Sequence, residues 1–247
     1  NFERYLFFQK AVVATIDHLP LEIDVVHCND WHTALVPLFL RYGMDGLPRF
    51  GKEKTLFTIH NLAHQGWAHA EKFYLTQLPQ ALYHWKALEF FGEINCLKGG
   101  LIAADAISTV SPTYADEILT PAFGNQLDGV LSERAESLYG ILNGVDYSRW
   151  NPATDSYLAA SYSPDNLSGK AACKKAIQHH YRLPVEANKP LFGMISRLAH
   201  QKGLDLIDSC MESLMKLDAQ WIFLGTGDTA YEEMAASWAE RWPDRVA

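Results

Sequence analysis

Short apolar runs rich in β-branched residues alternate with stretches of helical spacing along nearly the whole chain, and this alternation restricts the fold more than any other feature. Glu22 to Val26, Lys54 to Ile59, Asp105 to Val110, Leu138 to Leu142, Pro190 to Ser196 and Ala219 to Leu224 read as strands. Helical spacing fills the intervals. It covers Phe2 to Leu19 (Tyr5, Phe8, Ala11, Val12 and Ile16 falling on one face), His32 to Arg41, Leu97 to Ala104, a segment opened by Pro112, and Leu127 to Arg134. It resumes in Ser168 to Tyr181, Lys202 to Lys216 and Tyr231 to Arg241. Strands separated by helices predict βαβ units and a parallel sheet, hence the α/β class. Pro112 suits the first position of its helix, and Ser168 is the expected N-cap of its own.

The pattern breaks after Leu142. Asn143-Gly144 is a turn signal, and Trp150-Asn151-Pro152 cannot continue a regular element. Two domains are expected, residues 1–143 and 144–247. The second shows only two strands and the first opens on a helix without a preceding strand, whereas a doubly wound domain needs more to close its core. The expectation is therefore an internal piece of a longer protein, with both domains incomplete.

Composition narrows the function classes. Of 247 residues 48% are hydrophobic, enough for real cores, and 21 basic against 29 acidic residues give a net charge of -8. That balance argues against a nucleic-acid or anionic-membrane surface, and no apolar run is long enough to span a bilayer. Cys28, Cys96, Cys173 and Cys210 are scattered without a C-x-x-C or a zinc spacing, which favours reduced thiols in a reducing compartment. No signal peptide is visible.

The chemistry gathers at strand ends. Ile195 to Asp205 (I-S-R-L-A-H-Q-K-G-L-D) joins a strand to a helix and carries two fixed cations, Arg197 and Lys202. Ligands of open α/β sheets bind at the carboxyl ends of strands, and a helix N-terminus adds unpaired N–H groups and partial positive charge. An anion is the natural guest, a diphosphate above all; the plain alternative is two solvated surface charges. His60 ends another strand, followed by Asn61 and by Gly66, which permits a tight loop. His64 and His69 invite a metal reading, but H-N-L-A-H lacks the Glu of H-E-x-x-H and follows a strand instead of lying in a helix, so no metal site is expected. Asp30 follows a strand by a short turn; its carboxylate suits sugar hydroxyls, or equally an N-cap for the helix from Trp31. Asn143, also at a strand end, offers an amide that donates and accepts. Lys98-Gly99-Gly100-Leu101 reads as helix packing. Gly225-Thr226-Gly227-Asp228 is a two-glycine turn after a strand, far short of G-x-G-x-x-G, which disfavours a dinucleotide oxidoreductase.

Several of these stretches, taken in order, resemble one family. His27-Cys28-Asn29-Asp30-Trp31-His32 is similar to its H-x-x-D-W-H, and Thr58 to Gly66 (T-I-H-N-L-A-H-Q-G) to its T-x-H-N-L-A-x-Q-G. Thr109 to Ala115, Leu142 to Asp146, Trp150 to Asp155 and the S-R-L-x-x-Q-K-G-L-D of Ser196 to Asp205 match further blocks. Together they resemble the bacterial glycogen synthases and plant starch synthases over essentially the whole chain. The resemblance implies a GT-B arrangement, two Rossmann-like domains facing across a cleft, with residues 1–143 on the acceptor side and 144–247 on the donor side. It implies retaining transfer of glucose from ADP-glucose to the non-reducing end of an α-1,4-glucan, glycogen or starch. His60, Arg197 and Lys202 would be catalytic, and Asp30, Asn61, Asn143, Gly225 and Thr226 substrate-binding. No metal or cofactor would be required, because the two side chains supply the cations. The setting would be a bacterial cytoplasm, or a plastid if plant. The family's Lys-x-Gly-Gly-Leu loop is not matched by Lys98 to Leu101, and the Glu of its E-x-x-x-x-x-x-x-E pattern is not in this chain, so the chain alone is expected to bind donor poorly. Another GT-B glucosyltransferase and a non-catalytic glucan-binding module remain as alternatives.

Overall fold

A computed structural model describes residues 1–20, 22–44 and 52–247. The chain divides into two compact units, Asn1–Gly144 and Val145–Ala247.

The first unit opens with α1 (Phe2–His18), which buries Phe2, Leu6, Gln9 and Val13. The apolar spacing pointed to a neighbouring face, yet Phe8 is 47% exposed. The reason is Gln9. Its Oε1 accepts the Leu35 N–H at 2.6 Å and its Nε2 donates to the Tyr5 carbonyl at 3.1 Å, so a hydrogen-bonded polar side chain occupies the core face and periodicity misreads the stripe. β1 (Val25–Asn29) starts later than Glu22 and runs past Val26, because its polar residues find partners on β2 (Lys54–Ile59) in the register Val25↔Lys54 to Asn29↔Thr58. The stretch expected as one helix from His32 is a 3-10 turn, Trp31–Thr33, followed by α2 (Val36–Tyr42).

β3 (Trp67–His69), β4 (Glu89–Phe90) and β5 (Glu93–Asn95) form an antiparallel sheet in the order β3-β5-β4. Strands of two or three residues leave no periodicity to detect. Asn95 then caps α3 (Cys96–Ala103) through its Oδ1, which accepts the Lys98 N–H at 2.9 Å. Gly99 and Gly100 are packing glycines as expected: a Cβ on Gly100 would lie 2.9 Å from the Ala34 carbonyl oxygen and 3.0 Å from the Phe57 ring. Lys98 is buried, its Nζ donating to the Glu89 carbonyl at 2.7 Å and to that of Trp85. Burial pulls its ammonium below the ordinary lysine range, against the pull of Glu89.

β6 (Ala106–Thr109) follows, then α4 (Pro112–Glu117), with Pro112 in the first turn and the Ser111 hydroxyl accepting the Tyr114 N–H at 3.3 Å. α5 (Asp128–Ser132) and β7 (Leu138–Gly140) complete the unit. β1-β2-β6-β7 is a parallel sheet in that order. Asp105 clamps the entry to β6 against β2, its Oδ2 accepting the Thr55 N–H and hydroxyl at 2.9 Å each. The core gathers Leu35, Phe39, Phe57, Ile59, Leu97, Leu101 and Ile107, all at most 1% exposed. Burial pushes the Cys28 and Cys96 thiols up to about 12.

The second unit contains α6 (Gly169–His180), β8 (Leu191–Ile195), α7 (Leu204–Leu214), β9 (Gln220–Leu224) and α8 (Thr229–Arg241). Ser168 takes the N-cap position of α6, but its backbone is already helical and its side chain makes no capping bond. β8 and β9 pair in parallel from Leu191↔Gln220 to Ile195↔Leu224. Leu198, Leu204, Met211, Trp238 and Val246 form the core. α7 starts two residues later than expected: Lys202 closes a 3-10 turn, His200–Lys202, and Gly203 at φ 74 turns the chain into the helix, a left-handed conformation that glycine adopts without cost.

Candidate functional site

The first cluster lies at the carboxyl ends of β1 and β2. Alternate residues of a strand share a face, so His27 and Asn29 of β1 meet Thr58 and His60 across the parallel pair. His27 Nε2 lies 2.7 Å from Thr58 Oγ1, which lies 2.7 Å from Ser108 Oγ on β6. One step along the same face, His60 Nε2 lies 3.0 Å from Asn29 Oδ1. The His60 N–H donates to Asp30 Oδ1 at 2.8 Å. The imidazole is exposed while both its ring and its backbone are tethered.

Asp30 is strained. Its φ is 55 and ψ -179, a region that is essentially glycine's and costs a side chain of order 1–3 kcal/mol. The strain is sustained by its own N–H, which donates to the Thr58 carbonyl at 2.9 Å, and by its carboxylate on His60. Asp30 stands at the N-cap position of the Trp31–Thr33 turn but makes no capping bond, so the N-cap alternative is set aside. Asn61 uses its Oδ1 to accept the Ala63 N–H at 3.0 Å, starting the loop. Gly66, at φ 69, finishes it, and a Cβ there would collide with the Trp31 ring.

The second cluster is built from backbone. Beyond the strands the pairing of β8 with β9 continues: Ser196 N–H donates to the Leu224 carbonyl at 3.1 Å, Leu198 N–H to that of Thr226 at 2.9 Å, and Asp228 N–H to that of Leu198 at 2.8 Å. The turn carrying Arg197 is thereby laced to the turn carrying Gly225 and Thr226. The glycines allow the approach, since a Cβ on Gly225 would strike the Ser196 carbonyl oxygen and one on Gly227 that of Leu198. Leu198, 4% exposed, anchors the segment in the core. Arg197 and Lys202 are both exposed, and among the described residues neither side chain makes a hydrogen bond or ion pair. Lys202 is fixed by its N–H on the Ala199 carbonyl at 2.9 Å.

Asn143 falls outside both clusters. β7 ends at Gly140 instead of Leu142, so Asn143 is not at the end of a strand; it is exposed and no hydrogen bond among the described residues holds it. His64 is exposed on the loop after His60. Among the described residues no group of three or more His, Cys, Asp and Glu is arranged to hold a metal. Sequence reasoning missed Asn29 and the row His27–Thr58–Ser108. The signal was present as H-x-N and T-x-H, polar residues two apart in neighbouring strands, which period-2 geometry places on one face.

Parallel α/β units with polar or cationic groups at the carboxyl ends of their strands form the class in which small ligands bind at that edge. Comparison with known proteins is more particular. The family described as the starch synthase catalytic domain matches residues 1–133. The glycogen synthase of Anaeromyxobacter dehalogenans (strain 2CP-C) is 46% identical over 247 residues, 100% of this chain and 52% of that protein. That of Pseudothermotoga lettingae is 44% identical over 245 residues, 99% of this chain and 50% of that protein. The solved catalytic domain of starch synthase IV from Arabidopsis thaliana, bound to ADP and acarbose, matches with a TM-score of 0.86 at 31% identity, over 99% of this chain and 51% of that one. The chain belongs to the starch synthase catalytic domain family, and its α/β fold is that of this GT-B domain. It spans about half the length of the curated relatives it matches.

Proposed function

We propose that the complete protein is a glycogen (starch) synthase that moves glucose from ADP-glucose to the non-reducing end of an α-1,4-glucan with retention of configuration. The observation that carries this reading is the Arg197–Lys202 turn, two cations without side-chain partners among the described residues, on a backbone laced to Gly225 and Thr226, in a chain of this family. Breaking the anomeric C–O bond builds negative charge on the departing diphosphate and positive charge on the sugar ring. Preorganised cations at the first place lower the barrier without reorganising. Arg197 and Lys202 take that role, with the Gly225-Thr226 turn beside the donor. His60, its ring oriented by Asn29 and its backbone by Asp30, holds the transferred glucose; Asp30 and Asn61 bind on the sugar side, and Asn143 is kept as a weaker contributor. No metal or cofactor is needed in this scheme. Residues 1–143 then serve the acceptor side and 144–247 the donor side.

ADP in place of UDP is favoured by the starch synthase IV relative, whose solved structure holds ADP. A bacterial cytoplasm is the setting we propose, from the bacterial source of the curated relatives. Among the described residues no helix is long and apolar enough to cross a membrane. The test follows labelled glucose from ADP-glucose, and in parallel from UDP-glucose, onto glycogen in the presence of a chelator. Labelling from ADP-glucose is the expected result. Labelling of another acceptor would point to a different GT-B transferase, and none with a folded protein to a glucan-binding module.

A further inference from the structure

β2 lies between β1 and β6 in the parallel sheet of the first unit. Strands inside such a sheet normally read as near-continuous apolar runs. The carboxyl end of this sheet departs from that rule. Thr58, Ser108 and Thr109 are 8%, 4% and 1% exposed, and each carries a hydroxyl. They gather around the two residues that precede His60. Thr58 Oγ1 lies 2.7 Å from Ser108 Oγ on β6 and 2.7 Å from His27 Nε2 on β1, so a single side chain ties three strands together. The Thr109 hydroxyl donates to the Ile59 carbonyl at 2.9 Å.

Stability does not call for this row. Valine at 58 and alanine at 108 would bury no polar atom. Replacing both partners of a buried hydrogen bond by apolar groups of the same shape is close to neutral or stabilising. What the hydroxyls supply is direction, because a hydrogen bond fixes an angle as well as a distance, whereas apolar burial is non-directional.

The load on the row is Asp30. Its positive φ is sustained by two bonds to the end of β2 and the residue after it. The Asp30 N–H donates to the Thr58 carbonyl at 2.9 Å, and its carboxylate accepts the His60 N–H at 2.8 Å. Strained backbone persists only where the surroundings over-determine it. Thr58 is therefore gripped twice, through its side chain by β1 and β6 and through its carbonyl by Asp30.

We propose that Thr58 and Ser108, with His27 closing the row, are positioning residues for the transfer step: they hold the strained Asp30, and Asp30 holds His60. The inference rests on the assignment of His60 to the transferred glucose above. Its test is the double variant Thr58→Val with Ser108→Ala in the complete protein, followed by thermal melting, steady-state kinetics and NMR. The NMR signal is the His60 amide in protein labelled at histidine nitrogen, identified by its loss in His60→Ala. The double variant should melt within about 2 °C of wild type, since both partners are replaced together. Its turnover should fall about fivefold, the mark of a small misplacement, with the KM values for ADP-glucose and glycogen retained. The His60 amide signal should move toward its position in Asp30→Gly. Thr58→Ser, which keeps the hydroxyl, should retain most of the turnover. In an Asp30→Gly background the double change should cost less than about twofold more, because residues that act through one another are not additive.

Turnover within about twofold of wild type, an unmoved His60 signal, or full additivity with Asp30→Gly overturns the proposal. So does a loss of turnover matched by a fall in melting temperature, with Thr58→Ser no better than the double variant, which would make the row structural only. If the double variant does not fold, Ser108→Ala is taken through the same cycle with Asp30→Gly and decides in the same terms. A wild-type protein that moves no glucose would sink the synthase reading, and the His60 signal alone would then decide the row.

Discussion

At the end of β2, the candidate group is held by side chains; after the end of β8, the candidate cations are held by backbone alone. His60 is tied through ring and main chain to Asn29 and Asp30, with the polar row His27–Thr58–Ser108 set in the sheet behind it. Arg197 and Lys202 stand on a turn fixed by main-chain bonds to Thr226 and Ala199, and their charged ends are left unpaired among the described residues. The difference follows from the chemistry of the groups. An imidazole acts through a direction, so its ring has to be oriented. A cation acts through its position, and pairing it with a protein carboxylate would cancel the field that the proposed role requires of it.

The largest effects should come from removing the groups themselves. Arg197→Ala and Lys202→Ala in the complete protein are each expected to lower turnover by at least about a hundredfold, with Arg197→Lys recovering little because a point charge does not reproduce the guanidinium fork. His60→Ala should be comparably impaired. Near-normal steady-state turnover in the Arg197 or Lys202 variant would break the comparison at its donor end.

A second tier separates orientation from strain. Asp30→Ala and Asp30→Gly both free the His60 N–H and should lower turnover about tenfold, the scale of one charge-assisted hydrogen bond. Gly tolerates the positive φ that Ala does not, so thermal melts should rank Asp30→Gly above Asp30→Ala. Equal melting temperatures would remove strain from the account of Asp30.

The Asp105 clamp gives a pH signature to the first unit. Burial raises its pKa, but the Thr55 N–H and hydroxyl and the Lys54 ammonium outweigh this and hold it below the ordinary carboxylate value. A depressed carboxylate stabilises the fold above its unfolded pKa of about 3.9, and that contribution is lost as pH falls through the folded value. Asp105→Asn should therefore melt below wild type at pH 7, with the gap closing as pH drops beneath about 4. A gap that widens in acid would contradict the clamp.

The smallest effects are expected where side chains touch neither cluster. His64→Ala should change turnover on short acceptors by less than about threefold, within the range of an ordinary surface substitution. Cys28, Cys96 and Cys173 are buried and Cys210 is exposed, so a thiol reagent on the native protein should modify Cys210 first. Early modification of Cys28 would mean that the β1 edge opens.

Much of this architecture was legible in the sequence because burial there is simple. Lys54 to Ile59 is buried almost along its length and reads as its structure has it, and Arg197 and Lys202 stand beside a strand end whatever the precise start of α7. Legibility failed where polar groups enter regular elements. Gln9 displaced the buried stripe of α1, and His27 and Asn29 moved β1 forward, each because a hydrogen bond replaces hydrophobic burial. β3, β4 and β5 were invisible because two or three residues carry no period. The placement of Asn143 at a strand end failed because strand ends are set by the pairing partner, and Gly140 is the last residue of β7 paired with β6.

The division of labour between the two edges is tested most directly by titrating ADP into the complete protein and its variants by calorimetry. Arg197→Ala and Lys202→Ala should weaken ADP about tenfold or more. His60→Ala, although equally poor in turnover, should bind ADP within about threefold of wild type. ADP affinity that is lost in the His60 variant and kept in the Arg197 variant would contradict the assignment of donor and sugar to these two edges.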